Sequence, residues 1–131
     1  MKKKVLLNLG LLIVLLVGVS HVTQAQIKKL DPQSFQRKLQ ELNNPIIVDV
    51  RTQNEYSQGH LRNSILIDYN SSDFKSRLGK LDKTKAVFVY CAAGSRSHAG
   101  VNILAGMGFN EIYDLQGGIS AWQRANKPIT K

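Results

Sequence analysis

The sequence predicts an α/β fold: a mostly parallel central sheet of about five strands with helices on both faces. Three observations carry that expectation. Short runs rich in Ile and Val, such as Ile46–Val50 and Ala86–Tyr90, lack the alternation of a half-exposed strand and suit strands buried on both sides. Segments of helical periodicity return the chain after such runs. Once residues 1–25 are set aside as a leader, 106 residues remain, enough for one domain with one core and too few for two.

The leader is read from three parts. Lys2, Lys3 and Lys4 form a basic start, and Val5 to Val19 is apolar apart from Asn8 and two glycines. Thr23-Gln24-Ala25 then places small residues at the third and first positions before a cut ahead of Gln26. The apolar stretch falls short of the ~20 residues a spanning helix needs, so a cleaved signal peptide and a periplasmic product are expected, without a stable membrane span. No cysteine lies near the cut, which gives lipoprotein processing no support. Residues 26–131 then hold fifteen basic and nine acidic side chains, a net charge of +6. These charges are dispersed and are not interleaved with aromatic residues, so a nucleic-acid partner is not expected. Small anions gain a modest attraction.

The elements follow in order. Asp31 is an N-cap, Pro32 suits the first helical position, and Phe35, Leu39 and Leu42 form one apolar stripe. Asn43-Asn44-Pro45 ends that helix before the strand Ile46–Val50. Thr52-Gln53-Asn54-Glu55 matches a capping box and starts a short helix to about Gln58. Ser64 to Asp68 reads as a short strand, and Phe74, Leu78 and Leu81 as a helix that Gly79 interrupts or ends. The turn Asp82–Lys85 leads into the strand Ala86–Tyr90. A run of small residues, Cys91 to Ser97, precedes a helix from His98 to Met107 that Gly108 can end. Glu111–Leu115 is a further strand, and Gly117-Gly118 turns the chain into a last helix, Ile119 to Arg124.

Cys91 is the single cysteine, so the chain can form no internal disulfide. It stands where a strand should end and a helix begin, the place where open parallel sheets bind ligands. A Gly/Ser loop here can turn its N–H groups inward and add to the positive end of the following helix. That field favours a thiolate, the nucleophilic form. An isolated cysteine is more often a small buried hydrophobe; its strand-end position, the loop and Arg96 argue for chemistry. The amides of Ala92, Ala93, Gly94, Ser95, Arg96 and Ser97 are expected to hold the anion, with Arg96 steering an anionic substrate. Ser95 and Ser97 could add hydroxyl donors, and Ser97 could equally be an N-cap. No metal-ligand spacing is visible and no cofactor is implied. Asp49 and Arg51 stand near a strand's carboxyl end, where an arginine could reach the anion site. His60 and His98 lack an identifiable orienting partner and are not read as bases. Trp122 is expected to anchor the core.

Four stretches carry a resemblance covering about Ile27 to Thr130. They are Val48-Asp49-Val50-Arg51 with Glu55-Tyr56 and Gly59-His60-Leu61; Cys91-Ala92-Ala93-Gly94-Ser95-Arg96-Ser97; Gly106-Met107-Gly108-Phe109; and Leu115-Gln116-Gly117-Gly118-Ile119-Ser120-Ala121-Trp122. In that order they resemble a single-domain rhodanese of the thiosulfate sulfurtransferase family. Arg62, Asn63 and Ser64 stand where that family usually has proline, glycine and alanine, a change confined to a turn. The resemblance implies a structural role for Asp49 and Arg51, with Arg51 paired to an acid such as Glu55. The resemblance implies a Cys91 persulfide, formed from thiosulfate or a similar small anionic donor and discharged to a thiol or cyanide. Two other readings use the same loop: a persulfide carrier without turnover, and a phosphatase or arsenate reductase. The latter commonly places five residues between Cys and Arg, whereas four separate Cys91 from Arg96.

Overall fold

The computed structural model describes residues 24–131, together with Lys2, Lys3 and Gly18. Gly18 apart, the apolar stretch expected to serve as a leader lies outside the described residues. No helix among the described residues is long and apolar enough to cross a membrane.

Strand and helix alternate throughout: β1 (Gln26–Leu30), α1 (Pro32–Glu41), β2 (Ile46–Asp49), α2 (Gln53–Gln58), β3 (Ile65–Leu66), α3 (Phe74–Gly79), β4 (Val87–Tyr90), α4 (Ser95–Gly106), β5 (Glu111–Leu115) and α5 (Gly118–Arg124). The five strands form one parallel sheet in the order β1-β5-β4-β2-β3. β4 is thus flanked by β2 and β5, and its carboxyl end opens near the middle of the sheet.

Strand alternation divides the core in two. Val87, Val89 and Cys91 pack on one face with Phe74 and Leu78 of α3 and Val101 and Leu104 of α4. Phe88 and Tyr90 face the other way, toward Phe35 of α1 and Ile119 and Trp122 of α5. Helices therefore cover both faces, as expected. The caps agree as well. Asp31 Oδ1 accepts from the Ser34 N–H at 2.7 Å, and Thr52 and Glu55 complete a reciprocal capping box at the start of α2. Trp122 is buried edge-on to Phe35 and donates from Nε1 to the Pro128 carbonyl at 2.8 Å.

Four details differ from the sequence reading. β1 is a strand that the sequence does not predict. It is an edge strand with four exposed residues and two lysines, and it pairs with β5 through backbone bonds that no apolar pattern announces. The segment Ser64–Asp68 contributes only the two-residue β3. Helix α4 begins at Ser95, three residues before His98, because Gly94, at φ +117°, makes the turn that lets Ser95 and Arg96 enter the helix. Finally, Arg51 pairs with Asp49 rather than Glu55. Its Nη2 donates to Asp49 Oδ2 at 2.8 Å and to the Gly59 carbonyl at 2.7 Å, tying β2 to the end of α2. Both members of this pair are buried and well provided with hydrogen bonds, so its role is structural.

Candidate active site

Cys91 follows the last residue of β4, and its sulfur lies beneath the loop that becomes α4. The Gly94 N–H donates to Sγ at 3.0 Å, and Ser97 Oγ stands 3.5 Å from Sγ. Gly94 is the loop residue whose amide reaches the sulfur; the other five expected amide donors make no such bond among the described residues. Ser97 is buried in the first turn of α4 and donates from Oγ to the Gly94 carbonyl at 3.1 Å. It is not the N-cap, a position held by Gly94. Ala93 and Ser95 face solvent and Ala92 is half-buried. Cys91 itself is 1% exposed, which admits only a slender reagent to the sulfur.

The loop is held from the opposite side by α5. The Ile119 N–H donates to the Cys91 carbonyl at 2.9 Å, and the Ser120 N–H to the Ala92 carbonyl at 3.1 Å. This close approach explains Gly118. Its φ is +60°, and a Cβ there would overlap the carbonyl oxygens of Cys91 and Ala92. The resulting arrangement turns loop carbonyls toward α5 and leaves an amide, that of Gly94, for the sulfur.

Arg96 lies on the first turn of α4 and is engaged by a residue 41 positions earlier. Its Nη1 and Nη2 donate to Glu55 Oε1 and Oε2 at 2.8 and 2.9 Å, a bidentate pair. Arg96 draws the Glu55 carboxyl down to about 2, with the Thr52 hydrogen bonds helping and partial burial opposing. The sequence showed Glu55 as a capping residue; its second role depends on the α2–α4 approach, which has no local signature. His60 stacks on Tyr56, with ring centroids 3.7 Å apart, and its Nδ1 lies 2.9 Å from the Tyr56 carbonyl. His98 is exposed on α4. Neither is a partner of the sulfur. Beside the loop lies a cavity of about 310 Å³, lined in part by Arg51, Glu55, Ala92, Ser120 and Gln123.

Comparison with known proteins agrees with this architecture. Residues 31–125 match the family model described as Rhodanese-like domain. A protein of Allochromatium vinosum named Sulfurtransferase is 28% identical over 103 residues, which cover 79% of this chain and 94% of that protein. A tRNA uridine(34) hydroxylase of Chlamydia trachomatis serovar L2 is 36% identical over 112 residues, or 81% of this chain; the chain spans 34% of that longer protein. Among solved structures, a rhodanese-related protein from Thermoplasma volcanium superposes with a TM-score of 0.70 at 29% identity, covering 79% of this chain and 97% of that one. A rhodanese-like domain protein from Staphylococcus aureus gives 0.64 at 30% identity, covering 72% and 90%. The family model spans most of the described fold and includes the Cys91 loop and the α5 clamp, and the chain belongs to the rhodanese-like domain family.

Proposed function

We propose that the chain is a sulfurtransferase that carries sulfane sulfur on Cys91, taking it from thiosulfate or a similar small anion and giving it to a thiol or cyanide. The observation that carries the reading is the Gly94 N–H on Sγ at the start of the 12-residue helix α4. A backbone donor and a helix N-terminus stabilise a sulfur anion without a metal or a paired base.

In the first step the Cys91 thiolate attacks the outer sulfur of thiosulfate. The bond between the two sulfurs of the donor breaks, its electron pair leaves with sulfite, and Cys91 holds a persulfide. In the second, the acceptor attacks the terminal sulfur and the Cys91 thiolate is regenerated. The buried position of Cys91 suits a donor that offers a single protruding sulfur atom better than a broad phosphoryl group, and Arg96 is already held by Glu55. Both points weigh against the phosphatase reading. They also keep a second reading in view, a persulfide carrier loaded by a partner protein, for which free thiosulfate need not be a good donor. The hydroxylase activity named for the Chlamydia relative is not carried over, because the chain spans about a third of that protein.

We place the protein in the periplasm, after removal of residues 1–25. A cut ahead of Gln26 spares β1, whose first N–H donates to the Asn110 carbonyl at 2.7 Å. Steady-state turnover with thiosulfate, mercaptopyruvate, polysulfide and a phosphate ester tests the function. Parallel double-reciprocal lines with a sulfur donor and cyanide support the enzyme; single loading without turnover supports the carrier; phosphate-ester hydrolysis refutes both.

A further inference from the structure

Asp114 is a buried carboxylate that the proposed chemistry does not yet use. It lies on β5 opposite Val89 of β4 and Lys29 of β1, so strand alternation turns it toward α4, the helix that carries Ser97. It is 1% exposed, and neither carboxylate oxygen has a hydrogen-bond partner among the described residues. An unpaired buried carboxylate is costly, and the neutral acid is the cheaper form. Burial accordingly holds its carboxyl above the usual range, opposed in part by Ser97, by Lys29 on β1 and by His98 on α4.

Ser97 has room to change partners. With a thiol on Cys91, the S–H points to Ser97 Oγ at 3.5 Å and the Ser97 hydroxyl donates to the Gly94 carbonyl. That carbonyl also accepts the His98 N–H at 3.1 Å, so it stays satisfied if the hydroxyl turns away. When Cys91 carries an anion, the S–H donor is gone and a lone pair on Ser97 Oγ is vacated.

We propose that Asp114 is a positioning residue for Cys91, its carboxyl O–H donating to Ser97 Oγ and so turning the Ser97 hydroxyl onto the sulfur anion. The thiolate and the persulfide would then be held by two donors, Gly94 N–H and Ser97 O–H. Only hydrogen bonds are exchanged, and no proton changes owner among these three residues. The inference rests on the sulfurtransferase reading and adds a residue to it.

The test is the rate of sulfur loading from thiosulfate, followed by intact mass from pH 5.5 to 9.5 in Asp114→Asn, Asp114→Val and Ser97→Ala. Asn keeps a donor at every pH, so Asp114→Asn should load within about two-fold of wild type at low pH and gain on it as pH rises. Asp114→Val, which has no donor, should load about five- to ten-fold more slowly. That loss should vanish in a Ser97→Ala background. Equal rates and equal pH profiles for all the Asp114 variants would overturn the inference, as would an undiminished Val effect without the serine hydroxyl. A wild-type protein that gains no sulfur from any donor would overturn the sulfurtransferase reading itself, a distinguishable result.

Discussion

Replacing Glu55 with Gln separates the two roles of that side chain and tests whether Arg96 meets the donor. The substitution keeps an amide that can still cap Thr52, but it removes the charge that holds Arg96 in a bidentate pair. A carboxyl drawn from 4.5 to about 2 corresponds at face value to about 3 kcal/mol. The Arg96 and Glu55 side chains are 24% and 32% exposed, and solvent screening brings the pair to about 1 kcal/mol. The sign follows from the lowered carboxyl: its stabilisation is present above pH 4.5 and is lost as pH falls toward about 2. Glu55→Gln should therefore melt about 4 °C below wild type at pH 7, with the gap closing at low pH. In kinetics, the freed guanidinium should lower KM for thiosulfate by about two- to five-fold, an advantage that 0.5 M salt erases. A KM unchanged at low salt, with the stability loss present, would show that Arg96 serves only to join α2 to α4. That result would refute its assignment to donor binding.

Other outcomes follow from the same geometry. Arg96→Ala should keep the fold and weaken use of thiosulfate more than use of a neutral sulfur donor, by about 1.5–3 kcal/mol if a charged contact is lost; donor-dependent kcat/KM checks it. Gly118→Ala forces a Cβ against the Cys91 and Ala92 carbonyls and should cost at least 1–3 kcal/mol in strain, read by thermal melting, with slower sulfur loading. Asp114→Asn should raise the melting temperature at neutral and higher pH and lose that advantage in acid, because a buried acid with a raised pKa stabilises the fold only while protonated. Intact mass of protein from cell-envelope fractions should start at or close to Gln26, and full-length protein in the cytosol would contradict the signal-peptide reading.

What the sequence disclosed and what it hid divide along physical lines. The strands β2, β4 and β5 were legible because burial on both faces demands near-continuous apolar runs, and α1 and α2 because Asp31 and Thr52–Glu55 cap them with local hydrogen bonds. β1 was not, since an edge strand is held by its backbone and its exposed lysines resemble any solvated turn. At the site, Cys91 and its loop could be located from the strand end and the small residues. Tertiary contacts decided the rest. Glu55 reaches Arg96 only because α2 and the start of α4 come together, and the two α5 amides claim carbonyls that a loop in isolation would leave free. Asp114 carries no signal in the sequence beyond its place in a strand, and its isolation appears only once α4 covers it.

The central claim is that Cys91 holds transferable sulfur, and the mass of the protein after exposure to thiosulfate tests it most directly. One equivalent of sulfur, about 32 Da, should appear on the wild-type chain, map to the peptide containing Cys91, and leave when cyanide is added. Cys91→Ser should gain nothing while melting close to wild type. A wild-type Cys91 that gains no mass from thiosulfate or any other sulfur donor would contradict the account and leave it as a buried structural thiol.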